Sequence, residues 1–321
     1  MQMSFSLNTL GETKSVDLNK VFDVAIIGTG PAGYSAAIYA ARYGLSSIVI
    51  GASHGGTITD TNMVENYPGF KMISGQELMN KFKEHAEKYD VPIVEDSVIK
   101  ITKEDKAYTL ETSSGKHIKA KSLIFATGTK RRELNVPGEK EFKNKGVSYC
   151  SICDGPFFKD KIVGVVGGGD GAASSAVQLT QYASKVYIFV RGEKLKAEPY
   201  WQNLIAKEPK IEILTNVEVK EIFGDDKVKG VMLSNGNKVE LDGLFVEIGS
   251  VPNSSLAKSI GVNINDYGYI IVNEKMETNI PGVYAAGDVT SLLTHFRQVI
   301  VAAAQGAIAA NSAYHFSKEE K

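Results

Sequence analysis

Cysteine is scarce in this chain, with two copies in 321 residues, Cys150 and Cys153. A pair so isolated excludes the dense disulfide frameworks of small secreted domains. Net charge is nearly absent too: 36 Lys and Arg face 37 Asp and Glu, leaving −1. That balance argues against a polybasic surface for nucleic acid or for anionic membrane. Long apolar runs are missing. The longest late one, VIVAAAQGAIAA at 299–310, is too short to span a bilayer and reads as a helix buried against its own protein. The first twenty residues, MQMSFSLNTLGETKSVDLNK, lack the basic start and apolar core of a secretory signal and read as a polar arm. The expectation is a cytoplasmic protein with no nucleic-acid or membrane partner. There, an isolated cysteine pair is redox-active or metal-binding rather than a permanent staple.

What is present is a plan used twice. FDVAIIGTGPAGYSAAIYAARYGLSSIVIG at 22–51 gives an apolar strand, a glycine turn, an Ala-rich helix and a second apolar strand. KIVGVVGGGDGAASSAVQLTQYASKVYIFV at 161–190 repeats the order. After the first copy comes a hairpin pattern, KAYTLETSSGKHIKA, then SLIFATG. After the second come turn signals at Gly224-Asp225-Asp226 and Asn235-Gly236, then GLFVEIG. A further buried strand, PGVYAAGDV at 281–289, precedes the late helix with no new glycine turn before it. The expected fold is therefore α/β, with two Rossmann-like three-layer dinucleotide-binding domains, the second inserted into the first. Residues 1–129 and 250–321 would build one domain and 130–249 the other.

Gly28, Thr29, Gly30, Pro31, Ala32 and Gly33 satisfy G-x-G-x-x-G between a strand and a helix. The first glycine allows the tight turn, the second lets backbone approach a pyrophosphate, and the third lets helix pack on strand. The free N–H groups of the helix start then meet the phosphates. No acid for the ribose hydroxyls follows the second strand, which ends Ile50-Gly51-Ala52. Ribose recognition must come from elsewhere. The second turn, with Gly167, Gly169, Asp170, Gly171 and Ala172, is the variant G-x-G-x-x-A. Beyond its second strand, Arg191 and Lys196 suit a 2′-phosphate, whereas Glu193 suits free ribose hydroxyls. The pattern at this loop is mixed.

For the cysteines, a structural zinc site needs about four ligands, and the five histidines are scattered without metal spacing. No metal is expected. Cys-x-x-Cys instead sets two sulfurs close enough to form and break a bridge, with one thiol pKa drawn towards neutrality. Asp154 follows immediately, placed either to move a proton to and from the thiolate or simply as a turn residue before Gly155. Because the pair precedes a second nucleotide turn in a chain with two, electrons would pass from a nicotinamide through a flavin to the disulfide.

Together GTGPAG (28–33), VENYPG (64–69), ATG (126–128), SYCSICDG (148–155), GGGDGAA (167–173), AAGD (285–288) and FRQV (296–299) give a chain that resembles the low-molecular-weight thioredoxin reductase family, class II of the FAD-dependent pyridine nucleotide-disulfide oxidoreductases. The resemblance implies FAD held by Gly28 to Gly33, Gly56, Thr57, Asn66, Thr127, Gly128, Gly287, Asp288 and the Arg297-Gln298-Val299 segment. It implies that Cys153 takes electrons from the flavin, that Cys150 attacks a thioredoxin disulfide, and that Asp154 exchanges the proton. It also implies a homodimer and an inserted domain that swings on hinges near 128–130 and 249–252.

Departures bear on the electron donor. Where the family pattern is H-R-R-D/E-x-x-R-A, this chain has Val190-Arg191-Gly192-Glu193-Lys194-Leu195-Lys196-Ala197. Losing one fork-shaped donor to a phosphate costs about 1.5–3 kcal/mol, roughly ten- to a hundredfold. Ala173-Ser174-Ser175 also replaces acidic side chains of the family, and Thr57 replaces a frequent glutamine. NADPH is the implied donor, with NADH or a reduced ferredoxin left open. A glutaredoxin-like or peroxide-defence protein is the alternative acceptor, and a flavin-bearing redox sensor without turnover is the reading from another class.

Overall fold

The computed structural model describes Leu18 and residues 20–60, 64–149, 151–294 and 296–319. The first copy of the plan opens with β1 (Val21–Ile27), whose last four residues are all buried, as expected of a parallel strand covered on both faces. Helix α1 (Pro31–Arg42) begins on a proline, where a missing N–H costs nothing, and ends just before Gly44 at φ 76. Strand β2 (Ser47–Ile50) is buried throughout. Helix α2 (Gly75–Glu87) starts at Ser74, whose side chain accepts from the Glu77 N–H at 3.1 Å, the first half of a capping box. Then follow β3 (Ile93–Val94), β4 (Val98–Glu104), β5 (Ala107–Thr112) and β6 (His117–Phe125).

The burial of β6 changes along its length and explains the layout. Its first half alternates exposed and buried and pairs antiparallel with β5, whereas its last four residues are buried. That second half lies parallel to β1 on one side, with Ile27 opposite Phe125.

The chain then leaves through β7 (Thr129–Arg131) and builds β8 (Val147–Ser148), α3 (Ser151–Asp154), β9 (Ile162–Val166), α4 (Asp170–Leu179), β10 (Lys185–Val190), α5 (Pro199–Ala206) and β11 (Ile211–Thr215). A meander of β12 (Val219–Gly224), β13 (Val228–Leu233) and β14 (Lys238–Glu240) leads into β15 (Gly243–Val246). These strands form a parallel sheet of order β11-β10-β9-β15-β8 and a separate antiparallel sheet, β12-β13-β14. Strand β16 (Ser250–Pro252) pairs antiparallel with β7, so outgoing and returning chain are tied together.

Past α6 (Ser255–Ser259), β17 (Val283–Ala285) pairs parallel with the second half of β6. It completes a seven-stranded sheet of order β3-β2-β1-β6-β5-β4 with β17 beside β6. Helix α7 (Val299–Glu319) packs on α1 through small residues. A Cβ on Gly306 would lie 2.1 Å from the Ala32 carbonyl oxygen, so only glycine permits that approach. Separate apolar cores sit under the two sheets, one around Phe22, Ile26 and Phe125, the others around Val165, Ile188 and Phe245 and around Phe189, Val231 and Leu244. Among the described residues no helix is long and apolar enough to cross a membrane.

Candidate functional site

The first glycine turn sits where β1, β2 and β6 end. Gly28 adopts φ 123 and its N–H donates to the Ile50 carbonyl at 2.7 Å. A Cβ on Gly33 would stand 1.9 Å from the Gly28 carbonyl oxygen, which makes this glycine the close contact of helix with turn. Thr29 donates its hydroxyl to the Ser53 carbonyl at 2.7 Å and accepts the Gly55 N–H on its own carbonyl at 2.9 Å. This ties the turn to the loop that carries Gly56 and Thr57.

A cleft of about 880 Å³ opens over the turn, within the range of cofactor sites. It is lined by Gly28, Thr29, Gly30, Pro31 and Ala32 from the turn, by Gly56 and Thr57, by Thr127 and Gly128 after β6, and by Gly287, Asp288, Arg297, Gln298 and Val299. Strand pairing explains the convergence, because β1, β6 and β17 are parallel neighbours whose C-terminal ends all face this crevice. Asn66 is exposed and donates its side-chain amide to Gln298 Oε1 at 2.9 Å. Thr127 and Asn253 are joined by two hydrogen bonds, at 2.7 and 2.9 Å.

The chemistry of the cleft fits FAD. Gly30 caps α1 with no side-chain bond, which leaves first-turn N–H groups for a pyrophosphate. Gly30 and Gly56 face one another, a Cβ on Gly56 falling 3.7 Å from the Gly30 Cα, so side chains there would narrow the cradle. Arg297 places its guanidinium 4.3 Å over the Tyr269 ring, and its buried Nε has no hydrogen-bond partner among the described residues. Burial pushes the Asp288 carboxyl up from its ordinary value, opposed by the Arg297 charge. Asp288 is thus a half-buried group able to hydrogen-bond a polyol hydroxyl.

The acid missing at the end of β2 has a steric cause. A Cβ on Gly51 would meet Thr29 Oγ1 at 2.6 Å, so a side chain at position 51 would have to displace Thr29. The polar groups on that side of the cleft are instead Ser53, His54, Asp96 and Ser97, none of which sequence reasoning marked. Hydrogen bonds from Ser113, then Ser114, hold the Asp96 carboxyl well below the usual carboxylate range. The one signal available was the Thr112-Ser113-Ser114 turn, a hydroxyl cluster that suits a carboxylate. His54 bonds Tyr34 and Asn80 through its two ring nitrogens, at 2.7 and 3.0 Å.

The second glycine turn repeats the local geometry. Gly167 has φ 150, and a Cβ there would be 2.2 Å from the Glu247 carbonyl oxygen. Gly169 caps α4, and Asp170, Gly171 and Ala172 form its first turn. The Asp170 carboxylate accepts the Glu198 N–H at 2.6 Å, and the Lys196 N–H donates to the Gly168 carbonyl at 2.6 Å. Arg191 is 86% exposed, with its Nε 3.9 Å from Glu218, and Lys196 is exposed as well. Cys150 lies outside the described residues, and of Cys153 only the backbone, within α3, is described. Asp154 closes α3 half-buried.

Comparison with known proteins covers nearly the whole chain. The family described as "Pyridine nucleotide-disulphide oxidoreductase" matches residues 22–306. A thioredoxin reductase of Bacillus subtilis (strain 168) is 41% identical over 307 residues, 94% of this chain and 96% of the relative. Among solved structures, Lactococcus lactis thioredoxin reductase in its "FR conformation" superimposes with a TM-score of 0.88 at 37% identity, over 93% of this chain and 99% of the other. The thioredoxin reductase of T. acidophilum gives 0.86 at 41% identity, over 92% and 99%.

Proposed function

The chain belongs to the pyridine nucleotide-disulphide oxidoreductase family and has thioredoxin reductase activity, and from that premise we propose how its residues divide the work. FAD and NAD(P)H are the cofactors the family implies. Segments 1–129 and 250–321 hold the flavin, and 130–249 carries the pyridine nucleotide and the cysteine pair. When bound, FAD supplies the two-electron relay between nicotinamide and sulfur. The first glycine turn and the α1 start hold its pyrophosphate, Asp288 a ribityl hydroxyl, and the N–H groups around Arg297 to Val299 its electron-rich edge.

At the disulfide, the Cys150 thiolate attacks one sulfur of the thioredoxin disulfide and expels the other as a thiolate. Asp154 supplies that thiolate with a proton. Cys153 then attacks the Cys150 sulfur, releasing the second thioredoxin thiol and closing the Cys150–Cys153 bridge. One observation carries this reading: Ser151, between the two cysteines, donates to Ser175 at 3.0 Å. The cysteine segment is therefore fixed to α4, the helix of the second glycine turn, and both travel as one unit to a single flavin.

NADPH is the proposed donor, its 2′-phosphate met by Arg191 and Lys196. The exposed Arg191 and the glycine beside it favour a second reading, in which NADH or a ferredoxin serves. Anaerobic titration of the flavoprotein separates these: near-stoichiometric bleaching by NADPH is expected, with Arg191→Ala raising the NADPH requirement roughly tenfold. Bleaching by NADH alone reassigns the donor. No bleaching by either, in protein that dithionite still reduces, removes pyridine nucleotide from the scheme.

A homodimer is also proposed. Ile300, Ala304 and Ile308 form an exposed stripe along α7, and Tyr39 is exposed on the adjoining α1, an apolar face of the kind that subunits cover. Ile308→Glu is expected to sediment as a monomer. A wild-type protein that is itself monomeric would remove the dimer.

A further inference from the structure

A run of polar side chains, buried at its start, leads from the cysteine segment to the wall of the flavin cleft. Ser151 and Ser175 are 4% and 6% exposed. Ser151 donates its hydroxyl to Ser175 Oγ at 3.0 Å and has Gln178 Oε1 at 3.2 Å as a second acceptor. Ser175 in turn donates to Glu247 Oε1 at 3.1 Å, and Arg131 Nη1 lies 3.6 Å from that same oxygen. The direction of the run is fixed by chemistry. Ser175 gives its single proton to Glu247, so its lone pairs receive Ser151.

The far part of the run is anchored in sheet. Glu247 directly follows β15, and its N–H donates to the Val166 carbonyl of β9 at 2.8 Å. Arg131 belongs to β7 and lines the flavin cleft. On the other side of Cys150 in sequence, Tyr149 donates its hydroxyl to Glu139 at 2.7 Å. Glu139 is 1% exposed and also takes the N–H groups of Leu134 and Asn135, at 2.7 and 2.6 Å. Both sequence neighbours of Cys150 are therefore tied to carboxylates, Tyr149 directly to the buried Glu139 and Ser151 through Ser175 to the half-buried Glu247.

We propose that Ser175 and Glu247 are positioning residues for the Cys150–Cys153 couple: by fixing Ser151 to the sheet they raise the effective concentration of one thiol at the other and favour the closed disulfide. The inference rests on the reading of that couple as the redox pair. Ring closure costs less when the chain between the reacting groups is already ordered. Buried hydroxyls in series with a carboxylate also bond more strongly together than singly.

The test is a thiol–disulfide equilibrium on anaerobic holoprotein without any pyridine nucleotide. Protein disulfide and two glutathione thiols exchange with protein dithiol and one glutathione disulfide. Samples poised at different glutathione ratios are acid-quenched and alkylated, and the Cys150–Cys153 bridge is counted by mass. Ser175→Ala and Glu247→Ala should each shift the equilibrium about tenfold towards dithiol, the scale of freeing one residue's backbone. The double variant should shift no further than either single one, because the two act in series. Ser175→Thr, which keeps the hydroxyl, should stay within about twofold of wild type.

An unchanged equilibrium in Ser175→Ala, or additive shifts in the double variant, overturns the proposal. So does a Thr variant as displaced as the Ala variant. If Glu247→Ala fails to fold, the Ala and Thr variants at 175 decide alone. A wild-type couple that never titrates sinks the redox-pair reading instead.

Discussion

Cys153→Ser is expected to bind flavin normally and to lose thioredoxin reduction by about three orders of magnitude or more, the scale seen when a member of a concerted nucleophilic unit is removed. Cys150→Ser should lose as much, yet the two variants should fail differently. With Cys150 intact and Cys153 absent, the Cys150 thiolate can still attack the acceptor once. The mixed disulfide then has no resolving thiol, so a covalent complex accumulates, visible on a non-reducing gel and released by dithiothreitol. With Cys150 absent, Cys153 should form little such complex. Flavin content guards against a folding defect, since the cleft is built from the first glycine turn, the 126–128 segment and the 287–299 region, remote in sequence from α3. A trapped complex from the Cys150 variant alone would exchange the two roles. Full turnover in either variant would sink the assignment.

Local pattern carried much of this. The apolar strand, glycine turn and Ala-rich helix could be read twice in sequence because each lies within one short stretch, and the meander after each copy announced itself through turn residues. Pairing between distant segments left no such mark. Strands β3 and β8 have two residues each, too few for a period of two to show. Asp96 reaches the cleft because β3 pairs with β2, which no window around residue 96 displays. The missing acid after β2 was legible, whereas its cause, Thr29 filling the space beside Gly51, was not. Residues 173–175 likewise showed only that acidic side chains were gone. The carboxylate that Ser175 meets comes from Glu247, 72 positions away.

Gly28→Ala is expected to yield little flavoprotein and to destabilise the flavin-free chain by about 3–5 kcal/mol, at the severe end for a single methyl. Gly28 holds φ 123, and its Cβ would stand 2.1 Å from the Ala126 carbonyl oxygen and 3.2 Å from the Thr127 nitrogen. Both atoms are backbone at the end of β6, locked by the parallel register of Ile27 with Phe125. Relief would require β1 and β6 to part in the middle of the larger sheet. Gly30→Ala, two residues along the same motif, should separate binding from folding. Its Cβ would meet only the Gly55 carbonyl oxygen, at 3.8 Å, with no left-handed backbone to strain. The added methyl instead enters the cradle proposed for the pyrophosphate at the α1 start. Stability of the flavin-free protein should therefore change by less than about 1 kcal/mol, while flavin retention falls at least about tenfold. Flavin-to-protein ratios and urea unfolding of the flavin-free forms read the two effects independently. Stoichiometric flavin in Gly30→Ala would show that the dinucleotide does not lie against this turn, whatever Gly28→Ala does to the fold.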